Sequence, residues 1–168
     1  IKWFATANLL NVSIYAGKWL APMSQTTSYC VYIAKSTRVK VKNRAEDSCE
    51  YCLINEAFSV IGFEVDHIIP IKHGGGSDLE NLAYSCAICN FYKGSDVATV
   101  FLPDRNPIRL FHPRADQWKD HFEWDREGML IAKSPVGAAT IKVLKLNQPE
   151  RITERHLLIK AKLYPWVE

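Results

Sequence analysis

Four of the five cysteines stand as two identical pairs, Cys49-x-x-Cys52 and Cys86-x-x-Cys89. Two such knuckles offer four thiolates that can close a tetrahedron around Zn2+, whereas a disulfide within either pair would be a small strained ring. The spacing predicts a structural zinc site, with Cys30 left over as an ordinary small apolar residue. Between the pairs lies Asp66-His67, on a stretch from Val65 to Ile69 that reads as a strand ending at Pro70. Successive strand residues point to opposite faces, so this carboxylate and imidazole do not readily share one ion. A division of labour follows, one residue binding a metal and the other acting on water, as metal-assisted hydrolysis requires. Taken alone, Asp66 could cap a turn and His67 could be a satisfied strand-end histidine. Their place between matched knuckles is what turns the reading toward chemistry.

The surrounding elements must position these groups. Ser36 to Ala45 reads as a short basic helix leading into the first knuckle, although Val39 and Val41 also permit a strand. Phe58 to Val65 is β-rich and broken by Gly62, and Gly74 to Asp78 is a loop without the Lys of a P-loop. Asn81 to Ser85 reads as a second strand, and Ala87 to Lys93 as a short helix stopped by Gly94. Further on, Pro103 to Pro107 is a turn and Ile108 to Phe111 a short strand, while Trp118, Phe122 and Trp124 are core or edge aromatics. Ser134-Pro135 predicts an N-cap and first helical residue, with a helix to about Leu146. Pro149 opens another helix, with Ile152, Leu157, Leu158 and Leu163 available for its buried face.

The chain has 168 residues, 48% hydrophobic and 23% charged, an ordinary globular mix that argues against wholesale disorder. Its net charge of +3 is unevenly spread: residues 1–45 hold seven of the 21 basic residues and none of the 18 acidic ones. Arg38, Lys40, Lys42 and Arg44 form the densest part of this stretch and are candidates for tracking a phosphate backbone, with Lys93 as a further phosphate contact. The longest charge-free runs, Trp3 to Gly17 and Trp19 to Ala34, fall short of the roughly 18 residues of a spanning helix and carry polar residues, so no membrane role is expected. Asn8, Asn11, Ser13 and Lys18 interrupt the apolar stretch that a secretory leader would need. The first methionine is Met23, which we expect to be the natural start, with residues 1–22 an upstream reading. The expected organisation is an N-terminal extension over 1–34, a catalytic domain over 35–100, and a C-terminal extension over 101–168 packed on the core.

The run Glu64-Val65-Asp66-His67-Ile68-Ile69-Pro70, then Gly74-Gly75-Gly76 and Asp78-Leu79-Glu80-Asn81-Leu82, then Cys86-Ala87-Ile88-Cys89-Asn90-Phe91-Tyr92-Lys93-Gly94, resembles the HNH endonuclease family in its zinc-bound four-cysteine branch. The resemblance is tight over about residues 46–94. A weaker likeness to the tail of stand-alone bacterial members runs through Leu110 to Arg114 and Trp118 to Phe122. It implies an α+β fold in which a ββα-metal core is pinned by the four-cysteine zinc site and followed by an α/β extension. It further implies that His67 is the general base, Asp66 a metal ligand, Asn81 the brace that orients His67, and Asn90 a second metal contact. Asn90 stands where histidine is often found, and a carboxylate with an amide oxygen makes a hard site suited to Mg2+ or Mn2+. The implied activity is metal-dependent hydrolysis of DNA, in duplex form, by an intracellular protein of bacterial or phage origin, since zinc thiolates need a reducing compartment. The alternative is a catalytically inactive, zinc-stabilised module that binds DNA or another partner.

Overall fold

The computed structural model describes residues 32–165; Met23, Cys30 and most of the expected N-terminal extension lie outside them. Among the described residues, five α-helices and six short strands make an α+β fold in which every sheet is an antiparallel pair. Helix α1 spans Lys35–Arg44 and buries only Val41, against a small cluster of Ile33, Leu82 and Tyr84. Its polar remainder is what the basic sequence predicts.

Strand β1, Glu64–His67, pairs with β2, Leu82–Ser85, so that His67 lies opposite Leu82 and Glu64 opposite Ser85. Helix α2, Ala87–Lys93, follows at once: the Cys86 sulfur accepts the Cys89 N–H at its start, and Gly94, at φ 48°, ends it. The β-rich reading of Phe58 to Val65 holds only from Glu64. Before it, Asn55 caps a 3-10 turn over Glu56–Phe58, Ser59 bonds locally with Ile61, and the Glu56 carboxylate takes the Phe63 N–H at 3.0 Å. Side chains thus supply the partners that a neighbouring strand would have given.

The later residues form two more hairpins and three helices. Strands β3, Ala98–Val100, and β4, Pro107–Arg109, pair across the proline-rich turn. Helix α3, Trp118–His121, runs into β5, Phe122–Trp124, which pairs with β6, Leu130–Ala132. Helix α4, Pro135–Val143, is capped as its sequence predicts, the Ser134 hydroxyl accepting the Gly137 N–H at 3.0 Å. Gly137 has no room for a side chain, because a Cβ there would collide with the His121 carbonyl oxygen.

Helix α5, Pro149–Lys160, differs from expectation in the face it buries. Leu157 is 60% exposed and Ile152, Leu158 and Leu163 are half-buried, while Arg151 and Arg155 are the buried positions. The arginines sit inside because fixed acceptors meet them there: Arg155 donates to the Gly128 carbonyl at 2.6 Å and to Asn147 Oδ1 at 3.0 Å.

One hydrophobic core joins the knuckles to the later elements. Cys49, Tyr51, Cys52, Ile54, Cys86 and Cys89 pack in a single cluster with Phe111, Phe122, Leu130, Leu144 and Tyr164. Hydrogen bonds reinforce it, from Trp118 Nε1 to the Tyr51 carbonyl and from the Tyr164 hydroxyl to the Cys52 carbonyl, each at 3.0 Å. No helix among the described residues is long and apolar enough to cross a membrane.

Candidate active site and metal centre

The four paired cysteines converge. Cys49, Cys52, Cys86 and Cys89 are buried, unbridged, and have ligand atoms within 4.8 Å of one another. The Cys52 and Cys86 sulfurs are 3.9 Å apart. Tetrahedral zinc with sulfur at about 2.3 Å sets sulfur–sulfur distances near 3.8 Å, so the donor set fits the ion. Local backbone chemistry builds the first knuckle: Leu53, at φ 58°, turns the chain so that its N–H reaches the Cys49 carbonyl, while the Cys49 N–H takes the Ile54 carbonyl. The second knuckle is the N-terminus of α2.

His67 and Asp66 point to opposite faces of β1, as strand geometry requires. The His67 ring is half-buried, with Nε2 at 2.9 Å from Ser77 Oγ. Burial above all holds its pKa below the usual histidine value, with Lys93 and Arg38 adding to the effect and Asp66 opposing it. Asn81 straps the loop that carries Ser77. Its Oδ1 accepts the Ile69 N–H at 2.9 Å, and its Nδ2 donates to the carbonyls of Ile69 at 2.9 Å and Gly76 at 2.8 Å. The strap runs so close to Gly75 that a Cβ there would collide with the Ile69 carbonyl oxygen and with the Asn81 amide. Arg44 secures the end of the loop, donating to the carbonyls of Leu79 and Leu82.

Asp66 is 6% exposed and already partnered. The Tyr51 hydroxyl donates to Oδ2 at 2.7 Å, and Lys93 Nζ lies 3.1 Å from Oδ1 and 2.9 Å from Oδ2. The same ammonium donates to the His67 carbonyl at 2.9 Å and is 2% exposed. Burial pushes the Asp66 carboxyl up, against the pull of Lys93 and Tyr51. Asn90 turns elsewhere, its Nδ2 donating to Glu64 Oε2 at 2.7 Å. The Asp66 carboxylate is thus closed by a lysine and a tyrosine, while the Asn90 amide nitrogen answers a different acid. With Lys93 and Tyr51 on its carboxylate, Asp66 as it stands does not fit Mg2+ or Mn2+.

The expected basic face is likewise divided. Arg38 and Lys40 are exposed, the former with Nε on the Ile33 carbonyl at 3.2 Å. Lys42 pairs with Glu56 at 2.5 Å and Asp47 at 3.5 Å, and Arg44 is half-buried beside Glu50. Lys93 is an interior cation rather than a surface one.

Four participants were not singled out in advance. Glu64 shares the β1 face of Asp66 at a spacing of two, a signal the strand period contains. Tyr51, inside the first knuckle, and Ser77, in the glycine loop, carried no pattern of their own. Arg151 donates from NH2 to Cys52 Sγ at 3.1 Å across 99 residues of sequence, and nothing local announces it.

Residues 49–96 match the family model described as HNH endonuclease. No curated protein and no solved structure matches the chain. The matched segment contains both knuckles, Tyr51, Glu64, Asp66, His67, Asn81, Asn90 and Lys93; helix α1 and everything after Asp96 lie outside it.

Proposed function

From the HNH endonuclease match over residues 49–96, we propose that this protein hydrolyses phosphodiester bonds of duplex DNA, with His67 as general base and β1, β2 and α2 as its ββα-metal unit. The observation that carries the reading is His67 itself: a half-buried imidazole disposed to stay neutral, at a strand end, with a loop fastened over it by Asn81. An Nε2–H donated to Ser77 leaves the Nδ1 lone pair to accept a proton from water, which attacks phosphorus. Asn81 acts through the loop and not on the substrate. The family resemblance supplies the products, a 5′ phosphate and a 3′ hydroxyl. A single site cuts one strand, so the expected event is a nick. Exposed Arg38 and Lys40 on α1 are positioned to meet phosphates by charge. Four unbridged cysteines suit a reducing compartment, which supports a location inside a cell.

A divalent ion such as Mg2+ or Mn2+ would neutralise charge on the phosphate. The Asp66 carboxylate is committed to Lys93 and Tyr51 and would have to release them to hold such an ion.

The second reading, an inactive zinc-stabilised module that binds DNA or a partner, is favoured by one observation, the closure of Asp66 by Lys93 and Tyr51. Supercoiled plasmid incubated with Mg2+, Mn2+ or EDTA, using wild type and His67→Ala, separates the two. Metal-dependent open circles from wild type alone support the nuclease. Equal cutting by His67→Ala removes the proposed base, and binding without cutting by a zinc-loaded protein favours the module.

A further inference from the structure

We propose that Arg151, on α5 and outside the segment matched to the family, is a positioning residue of the zinc centre that stabilises the metal-bound thiolates and couples the docking of α5 to metal occupancy. This rests on the four cysteines holding zinc, and not on nuclease activity.

Four thiolates around Zn2+ leave a net charge of −2 in a buried site, and such a charge is costly unless a cation or N–H donors compensate it. Arg151 supplies both. The residue is 4% exposed, its NH2 is 3.1 Å from Cys52 Sγ and 3.9 Å from Cys86 Sγ, and these sulfurs come from different knuckles. Glu154, one turn on, holds NH1 at 2.5 Å and so fixes the direction of the guanidinium. Nε has no hydrogen-bond partner among the described residues, so beyond Glu154 no oxygen acceptor accounts for the position of this arginine. A planar donor pointed at sulfur from a helix clamped by its own carboxylate is a built contact.

Outer partners of metal ligands commonly contribute 10–100-fold in metal affinity. Linkage makes the effect mutual: whatever factor Arg151 adds to zinc affinity, zinc adds to the docking of its helix.

The test uses the full chain as wild type, Arg151→Lys and Arg151→Met, with zinc affinity measured by competition against a chromogenic chelator. We expect roughly 10–100-fold weaker zinc binding in Arg151→Met and an intermediate loss in Arg151→Lys, which keeps charge but not the fork. Cobalt replacement gives a second readout that mere packing would not move. Loss of the N–H donor raises the sulfur donor orbitals, so the sulfur-to-cobalt charge-transfer band should shift to longer wavelength. If Arg151→Met folds poorly, Arg151→Lys still reports the band. Zinc affinity within twofold of wild type together with an unmoved band overturns the proposal. A wild type that binds neither zinc nor cobalt overturns the zinc reading itself, and this inference with it.

Discussion

Two side chains with opposite fates define the site at the scale of single residues. Burial holds the His67 pKa below its usual value, and Lys93 is held inside. Lys93 compensates the Asp66 carboxylate within the core, and removing one member of a buried ion pair leaves the other uncompensated. Lys93→Met should therefore cost about 3–5 kcal/mol, read as a shift of the urea midpoint. Combining it with Asp66→Asn should return part of that loss, since no charge is then stranded. For His67, the lowered pKa means that the base form persists below the usual histidine range. If the nuclease reading holds, the acid limb of the pH–rate profile falls below pH 6.5, the ordinary value. A limb at or above that value would contradict the burial argument. The same shift makes the folded state bind fewer protons than the unfolded one. The stability it contributes is present above the unfolded pKa and is lost as pH falls through the folded one.

The unit at the next scale is the hairpin with its long connection. A loop of this length gains order only if its backbone polar groups find partners. Asn81 supplies three of them and Arg44 two more, which fixes Ser77 against the His67 ring. Replacing Asn81 with Ala strands the Ile69 amide and two carbonyls and should destabilise the protein by about 1–3 kcal/mol, with faster hydrogen exchange at Ile69 as the local signature. Gly75→Ala should loosen the same loop by collision rather than by lost bonds. Unchanged exchange at Ile69 in both variants would mean that the strap is not what orders the loop.

At the scale of the described residues as a whole, the four-cysteine cluster and the later elements share one core. Tyr164, Trp118 and Arg151 each reach the first knuckle from beyond residue 100. Metal removal should for that reason unfold more than the matched segment. Chelation is expected to collapse the near-ultraviolet dichroism of Trp118 and Trp124 together with the signal of the knuckles, in one transition. Persistence of the tryptophan signal after zinc loss would show the later elements to be a separately stable unit.

Much of this was legible from local spacing. The CxxC pairs, the Asp-His strand end, the α2 helix and its glycine stop, and the Ser-Pro start of α4 are short-range patterns, and short-range backbone chemistry is enough to form them. The sequence by itself thus determined the four-cysteine cluster, the identity of the candidate base and the order of the elements around them. Tertiary structure alone decided that Lys93 faces inward to Asp66, that Asn90 answers Glu64, and that α5 buries arginines in place of leucines. The reason is physical. A polar side chain reads as solvated unless a partner meets it, and Glu64 for Asn90, Asp66 for Lys93 and Cys52 for Arg151 lie 26 to 99 residues away in sequence, where no periodicity reports them.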